Sequence, residues 1–72
     1  MSLFTEAFIV QKYGLRLNAE QLADVLGITK PALYNQISAG SCPVKTYLDG
    51  GKRWADFRHV AEHLDAMVAL AQ

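Results

Sequence analysis

The feature that most constrains this chain is residues 18–40, where two short apolar-periodic segments are each closed by a glycine. In the first segment alanine and leucine recur at helical spacing, at positions 19, 22, 23 and 26, and Asn18 stands where a helix N-cap is expected. Gly27 follows, and glycine commonly ends helices in the left-handed conformation. We therefore predict a first helix that begins after Asn18 and ends near Leu26.

The second segment carries its own start and stop signals. Thr29 is a capping residue type, Pro31 falls in the first helical turn, where no amide donor is missed, and Gly40 closes the segment. These signals predict a second helix from roughly Lys30 to Ala39.

Helices this short, under ~12 residues, are marginal in water and gain their stability by packing. The small side chain of Ala23 allows the two helices to approach closely. The predicted inward-facing residues are Leu22, Leu26, Ile28, Leu33 and Ile37. Two short helices packed across a tight turn have helix-turn-helix geometry.

The run A-D-V-L-G-I-T-K-P-A-L-Y resembles the helix-turn-helix of MerR-like, excisionase-like and AlpA-like DNA-binding proteins of phages and plasmids. The resemblance extends from about Leu17 to Leu64. It implies that the second helix enters the major groove while the first braces it across the DNA backbone. The family usually has an apolar residue where Gln36 stands. The alternative interpretation of this stretch is a helical hairpin that only builds a core.

With Leu33 and Ile37 on the buried side, the other residues of the second segment are left to face DNA. Asn35 is suited to a bidentate pair with an adenine edge, and Lys30 to a guanine or a phosphate. Tyr34 is suited to donate to a phosphate or to pack on a thymine methyl group. The candidate DNA-binding residues of this segment are Thr29, Lys30, Pro31, Tyr34, Asn35 and Ser38.

Residues 44–55 carry the signal of a β-hairpin. Positions 44–48 alternate at period two, residues 49–51 (Asp-Gly-Gly) make a turn, and residues 52–55 return. One face of the first strand would hold Val44, Thr46 and Leu48, and the other Lys45 and Tyr47. Trp54 is predicted to cover the core as the largest buried surface of the hairpin.

The G-G-K-R-W run at residues 50–54 resembles the wing of the excisionase and MerR group. In that group the wing contacts the sugar-phosphate backbone or the minor groove beside the second helix. The resemblance makes Lys45, Lys52 and Arg53 candidates for phosphate or minor-groove contacts, and Tyr47 a candidate packing contact. The alternative for each lysine is an ordinary solvated strand residue.

Residues 2–13 predict an additional helix in front of the part that resembles the family. Ser2 is its expected N-cap, and Gly14 lies beyond its end. Its apolar stripe consists of Leu3, Phe4, Ala7, Phe8 and Val10 or Gln11, while Ile9 opens a second face. The helix either caps the core on the outside of the helix-turn-helix or uses part of its aromatic surface for a homomeric contact. Residues 15–17 alternate and predict a short strand, from which Arg16 projects either to solvent or to a phosphate.

A final helix is predicted from its cap at Asp56 to about Leu70, with apolar residues at helical spacing. The family likewise ends its wing with a helix of the pattern found at residues 60–64. The turns after this pattern either pack on the N-terminal helix or form a dimer seam. His59 and His63 have metal-ligand spacing, but no third ligand is nearby in the sequence, so ordinary surface histidines are expected.

Size and composition set the remaining limits. Seventy-two residues, of which 51% are hydrophobic, predict one folded domain, residues 1–72. The single cysteine, Cys42, excludes an internal disulfide and favours a reducing cytoplasm. The chain has neither an export signal nor the ~18-residue apolar run that crosses a membrane, so no membrane partner is expected.

The formal net charge is +0, but the charge is unevenly distributed. Residues 30–58 carry five basic and two acidic side chains, a local charge of +3, and this part contains the proposed reading helix and wing. A patch of this strength predicts weak non-specific phosphate binding and a need for several copies or a partner.

The expected fold is mainly α with a small β-hairpin, a winged helix-turn-helix with an extra N-terminal helix. It implies a sequence-specific, double-stranded DNA-binding protein of a phage or mobile element, cytoplasmic and nucleoid-associated. It would act as an excisionase (a recombination directionality factor), a transcriptional regulator, or both. We expect a homodimer or a cooperative oligomer on DNA, with a site-specific recombinase as a candidate partner.

Two other function classes compete with DNA binding. No glycine-rich phosphate loop, nucleophile elbow or catalytic triad is present, so neither an enzyme nor a bound cofactor is expected. The alternative to DNA binding is a winged helical module for protein contacts, such as an anti-repressor or adaptor. The wing charges and the polar outer face of the second helix favour DNA binding. The zero net charge, the apolar N-terminal helix and Gln36 leave room for the alternative.

Overall fold

The computed structural model describes residues 3–71 as four helices and a small antiparallel sheet. The elements in chain order are α1 (Leu3–Tyr13), β1 (Arg16–Asn18), α2 (Ala19–Leu26), α3 (Lys30–Ala39), β2 (Thr46–Asp49), β3 (Lys52–Asp56) and α4 (Phe57–Leu70). The prediction of a mainly helical chain with a small hairpin is confirmed. The short strand predicted before the first motif helix joins this hairpin as its third strand.

The sheet has β3 at its centre, in the order β1-β3-β2, and β3 is antiparallel to both neighbours. Leu17 and Thr46 stand opposite Ala55 from the two sides, so these three residues share one face of the sheet. Leu17 and Ala55 are fully buried, which identifies this face as the one packed on the core. Gly50 and Gly51 form the β2–β3 turn, both at positive φ (61° and 80°), as a two-residue hairpin loop requires.

The capping signals around α2 are realised as hydrogen bonds. Gln21 N donates to Asn18 Oδ1 at 2.8 Å and Asn18 N donates to Gln21 Oε1 at 3.1 Å, which completes a capping box. Gly27 is left-handed, with φ of 72°, and Ile28 N donates to Ala23 O at 3.0 Å. This pair of features ends α2 as a Schellman motif, so the predicted bounds of the helix are confirmed.

The core lies between the sheet and the helices and takes residues from all four helices. Its buried members are Ile9, Leu17, Ala19, Leu22, Ala23, Leu33, Val44, Ala55 and Val60. Leu26, Ile28 and Ile37, which were predicted to face inward, are partly buried against this cluster. The inward face predicted for residues 18–40 is therefore the face that packs.

Helix α1 runs antiparallel to α4. At one end Phe57 N donates to Leu15 O at 3.2 Å, and near the other end Thr5 Oγ1 donates to Asp65 Oδ1 at 2.8 Å. The first turn of α1 therefore lies beside the last turns of α4.

The face that α1 turns to the core is not the predicted stripe. Ile9 is 1% exposed, whereas Leu3, Phe4 and Phe8 are exposed, Phe4 at 82%. The helix therefore packs on the core, as one of the two interpretations expected, but it does so through the face of Ile9 and not through the stripe. Because the helix is apolar on both sides, its sequence does not single out the inward face. The predicted cap, Ser2, lies outside the described residues.

Trp54 does not cover the core, contrary to the prediction from its size. It is paired with Asn18 and Tyr47, one residue out of step with buried Ala55, and adjacent strand residues point to opposite faces. Trp54 is therefore half-buried on the outer face of the sheet. Leu48 is exposed as well, although it shares the core-side alternation of Thr46, because it lies nearer the hairpin turn.

Gln36 stands on the partly buried side of α3, where the resembled family usually has an apolar residue. Its Oε1 atom is shielded from solvent and accepts no hydrogen bond within the described part of the chain. An enclosed acceptor without a donor costs about 1–3 kcal/mol in desolvation. The position therefore tolerates a polar side chain at the expense of stability.

We expect Gln36→Met to raise the free energy of unfolding by about 1 kcal/mol, because methionine matches the shape and helix propensity of glutamine without the enclosed acceptor. Gln36→Glu should destabilise the protein, since it adds charge to the same unpaired position. Urea denaturation of the three proteins measures both effects. A Gln36→Met protein less stable than the wild type would show that the amide is satisfied in solution.

Helix α4 begins on a charged cap. Asp56 accepts a hydrogen bond from Arg58 N at 2.8 Å, and its two carboxylate oxygens accept from Arg58 Nε and Nη2, each at 3.0 Å. The Arg58 guanidinium beside it holds the pKa of the Asp56 carboxyl below its usual value of 3.8. The carboxylate therefore contributes stability that is fully present above the unfolded-state pKa and is lost as the pH falls through the folded-state pKa.

We expect Asp56→Asn to reduce the free energy of unfolding at about pH 6 by less than about 1 kcal/mol, because the amide keeps the cap but loses an exposed ion pair. The difference between wild type and variant should shrink as the pH falls below about 4, where the carboxylate becomes protonated. Urea denaturation at a series of pH values measures this difference. A difference that stays constant down to acid pH would contradict the assigned pairing.

Candidate nucleic-acid interface

Helix α3 presents a polar face to solvent. Thr29 Oγ1 accepts a hydrogen bond from Ala32 N at 3.2 Å, and Gly40 ends the helix in the left-handed conformation with φ of 73°. Leu33 is fully buried, which fixes the rotation of the helix about its axis. The six candidate DNA-binding residues of this segment are all exposed: Thr29, Lys30, Pro31, Tyr34, Asn35 and Ser38.

A groove of about 350 Å³ separates α3 from the turn of the β2–β3 hairpin. We call it the basic groove; it is lined by Lys30 and Tyr34 of α3, Lys52 and Arg53 of β3, and Asn18 and Glu20 at the start of α2. Four residues that were assigned to two separate segments thus meet in one concave surface. Three of those four carry a positive charge.

The ion pairs of the described residues do not neutralise the basic side chains of the groove. Across residues 3–71 the acidic side chains of the basic segment are both paired, Asp49 with Arg16 at 2.7 Å and Asp56 with Arg58 at 3.0 Å. Neither pair includes a basic residue of the groove, and Arg53 Nη1 instead donates to the neutral Thr46 Oγ1 at 3.4 Å. The local excess of positive charge is therefore presented at the groove, with Glu20 as its acidic member.

Arg16 anchors the hairpin to the body of the protein, a role that sequence reasoning missed. Its guanidinium carbon lies 3.8 Å from the centroid of the Trp54 ring, and its Nη1 donates to Asp49 Oδ2 at 2.7 Å. Trp54 Nε1 also donates to Asp49 O at 3.3 Å. The hydrogen bond to Asp49, with a smaller contribution from Tyr47, raises the pKa of the Arg16 guanidinium above its usual value. Arg16 is therefore tied to the strand that carries Lys52 and Arg53.

The two remaining candidates of the hairpin lie away from the basic groove. Lys45 precedes β2 and borders another groove, which it shares with His59, Glu62 and His63 of α4. Tyr47 is exposed on the outer face of the sheet, opposite Trp54. The structure therefore brings Lys52 and Arg53 together with α3 but does not bring Lys45 or Tyr47 there.

Residues 3–71 lack two features that mark other kinds of functional site. No group of three or more histidine, cysteine, aspartate or glutamate side chains is arranged to hold a metal ion in this part of the chain. No helix within the same range is long and apolar enough to span a membrane.

Comparisons of the chain with protein-family models, curated protein sequences and solved structures gave no match.

Because Trp54 is the single tryptophan, its fluorescence reports the stacking of Arg16 directly. We expect Arg16→Ala to shift the emission to longer wavelength and to increase quenching by acrylamide, since the ring loses its cover on one side. Lys12→Ala is the matched control, because Lys12 lies 5.9 Å from the Phe8 ring and 5.4 Å from the Tyr13 ring. Unchanged Trp54 emission in Arg16→Ala would show that the stacked arrangement is not held in solution.

Proposed function

We propose that this protein binds double-stranded DNA, with α2 and α3 as a helix-turn-helix and the β2–β3 hairpin as its wing. The observation that carries the proposal is the basic groove, in which Lys30 and Tyr34 of α3 face Lys52 and Arg53 of the hairpin. A helix flanked by a basic hairpin offers contacts to base edges and to the adjacent backbone from one surface.

In this proposal α3 lies in the major groove, which is about 12 Å wide and admits one helix. Asn35 faces outward from the side of α3 opposite to the buried Leu33, and this exposure supports a role in reading a base. A bidentate pair of an asparagine with an adenine edge discriminates by about 1–3 kcal/mol. Lys30, Lys52 and Arg53 would contact phosphates on the two sides of the basic groove.

The charge of the protein sets how tightly one copy binds. Three groove cations neutralise at most a few phosphates, so the binding of one copy is weak and strongly dependent on salt. One helix also reads only a few base pairs, so specificity requires repeated or inverted half-sites filled by two or more copies. We therefore propose a homodimer or a cooperative array on DNA.

The cellular role that we propose is that of a phage or mobile-element factor. Loading of several copies beside a recombination site would shape the DNA for excision, with a site-specific recombinase as partner, and the same loading at a promoter would regulate transcription. The alternative role, a module for protein contacts, is favoured by the exposed aromatic residues of α1.

We expect two substitutions to affect DNA binding in different ways. Asn35→Ala should reduce the preference for the cognate site by about 1–3 kcal/mol, because it removes a base contact. Arg53→Ala should weaken all sequences alike and reduce the slope of log affinity against log salt by about 1, because it removes a phosphate contact. Mobility shifts with DNA from around the protein's own gene, at several salt concentrations and with unrelated competitor, measure both effects.

Lys45→Ala is the control for charge, since it removes one positive charge that lies outside the basic groove. Equal behaviour of Arg53→Ala and Lys45→Ala would mean that the assigned surface is wrong. If the wild type forms no complex at micromolar concentration in low salt, the protein-contact function replaces the proposal.

A further inference from the structure

Helix α1 is apolar on both sides but has a packing partner on only one. Its inner side contributes Ile9 to the core and Thr5 to the contact with α4. Its outer side carries Phe4 and Phe8, which stand one helical turn apart and are exposed at 82% and 54%. Contiguous exposed apolar surface commonly marks an interaction site, so the outer side of α1 is a candidate interface.

The apolar stripe of α4 likewise continues past the core. Val60, Ala61 and Leu64 are buried or partly buried, and the same helical spacing continues to Met67 and Val68. Val68 is nevertheless 74% exposed, as is Leu70 at 77%. Because Thr5 is hydrogen-bonded to Asp65, these last turns begin beside the exposed first turn of α1.

We propose that this surface binds a second copy of the chain. We call it the terminal patch; it comprises Leu3, Phe4, Phe8, Met67, Val68 and Leu70. The inference does not rest on the proposed DNA binding, because the contact would form in the absence of DNA.

The charge of the patch favours self-association over a charged partner. In a two-fold symmetric dimer both copies use the same patch. A charged residue near the symmetry axis would therefore lie close to the identical charge of the partner copy. None of the six patch residues is charged. Lys12 lies at the edge of the patch, where its ammonium is 5.9 Å from the Phe8 ring.

The exposed area matches what a dimer needs. Six large apolar side chains at roughly 100 Å² each provide roughly 600 Å² per copy, and their neighbours extend this toward the roughly 800 Å² per partner of a standard interface.

The terminal patch and the basic groove have no residue in common. A dimer formed through the patch therefore does not use any groove residue as a patch contact. Such a dimer would present two α3 helices, one for each of two half-sites on DNA.

The test is sedimentation equilibrium of the full chain without DNA. We expect the wild type to dimerise with a dissociation constant in the micromolar range, and Phe4→Glu to raise that constant at least ~30-fold, because a charge replaces a central aromatic contact. Val68→Glu provides the second variant, on the other helix of the patch. Both positions are largely exposed in the protomer, so circular dichroism should show unchanged helix content.

Leu48→Glu is the matched control, since Leu48 is 63% exposed on β2, outside the terminal patch. It should leave the dissociation constant unchanged. A wild type that stays monomeric to millimolar concentration would overturn the proposal, as would dimers of Phe4→Glu and Val68→Glu as tight as the wild type. Since no DNA is present, these outcomes are separate from success or failure of the mobility shifts.

Discussion

The pairing of β3 along both of its edges is the constraint on which the rest of the structure depends. On one edge it binds β1, which leads directly into α2, and on the other it binds β2 of the hairpin. Ala55 of β3 is paired with a residue on each neighbouring strand and is fully buried. The strand itself contacts both α2 and α4. The position of the hairpin beside α3, and so the basic groove itself, follows from this one strand.

Much of the local structure could be predicted because its causes are local. The caps at Asn18 and Thr29 and the left-handed glycines that follow α2 and α3 are hydrogen-bonded within a few residues. These capping residues and glycines can therefore be recognised in short stretches of sequence, and the helix bounds agree with the prediction. The exposed side of α3 was predicted for a related reason, since Leu33 and Ile37 fix which side faces inward.

The misassigned faces depend instead on contacts between distant residues. Trp54 and Ala55 are both apolar neighbours on one strand, and only the register with Leu17 decides which of them is buried. A shift of one residue would exchange their faces, so size alone was a poor guide. The same holds for α1, whose two sides are both apolar, and for Arg16, whose partner Asp49 lies 33 residues away. Side-chain type limits what each residue can do, and long-range pairing selects among those options.

The net charge of +0 does not describe the basic groove, because the ion pairs of the structure hold the nearby acidic side chains elsewhere. The acidic residues of the basic segment are used to hold the hairpin and to cap α4, so they do not neutralise Lys30, Lys52 or Arg53. A single protomer nevertheless offers few cations. A dimer makes binding of the second reading helix an intramolecular event, which raises the overall affinity without strengthening the contacts of either protomer. If both proposals hold, dimerisation through the apolar terminal patch compensates for the small number of cations in each basic groove. A chain with little positive charge would then gain specificity by binding in pairs, and neither surface would have to be strong alone.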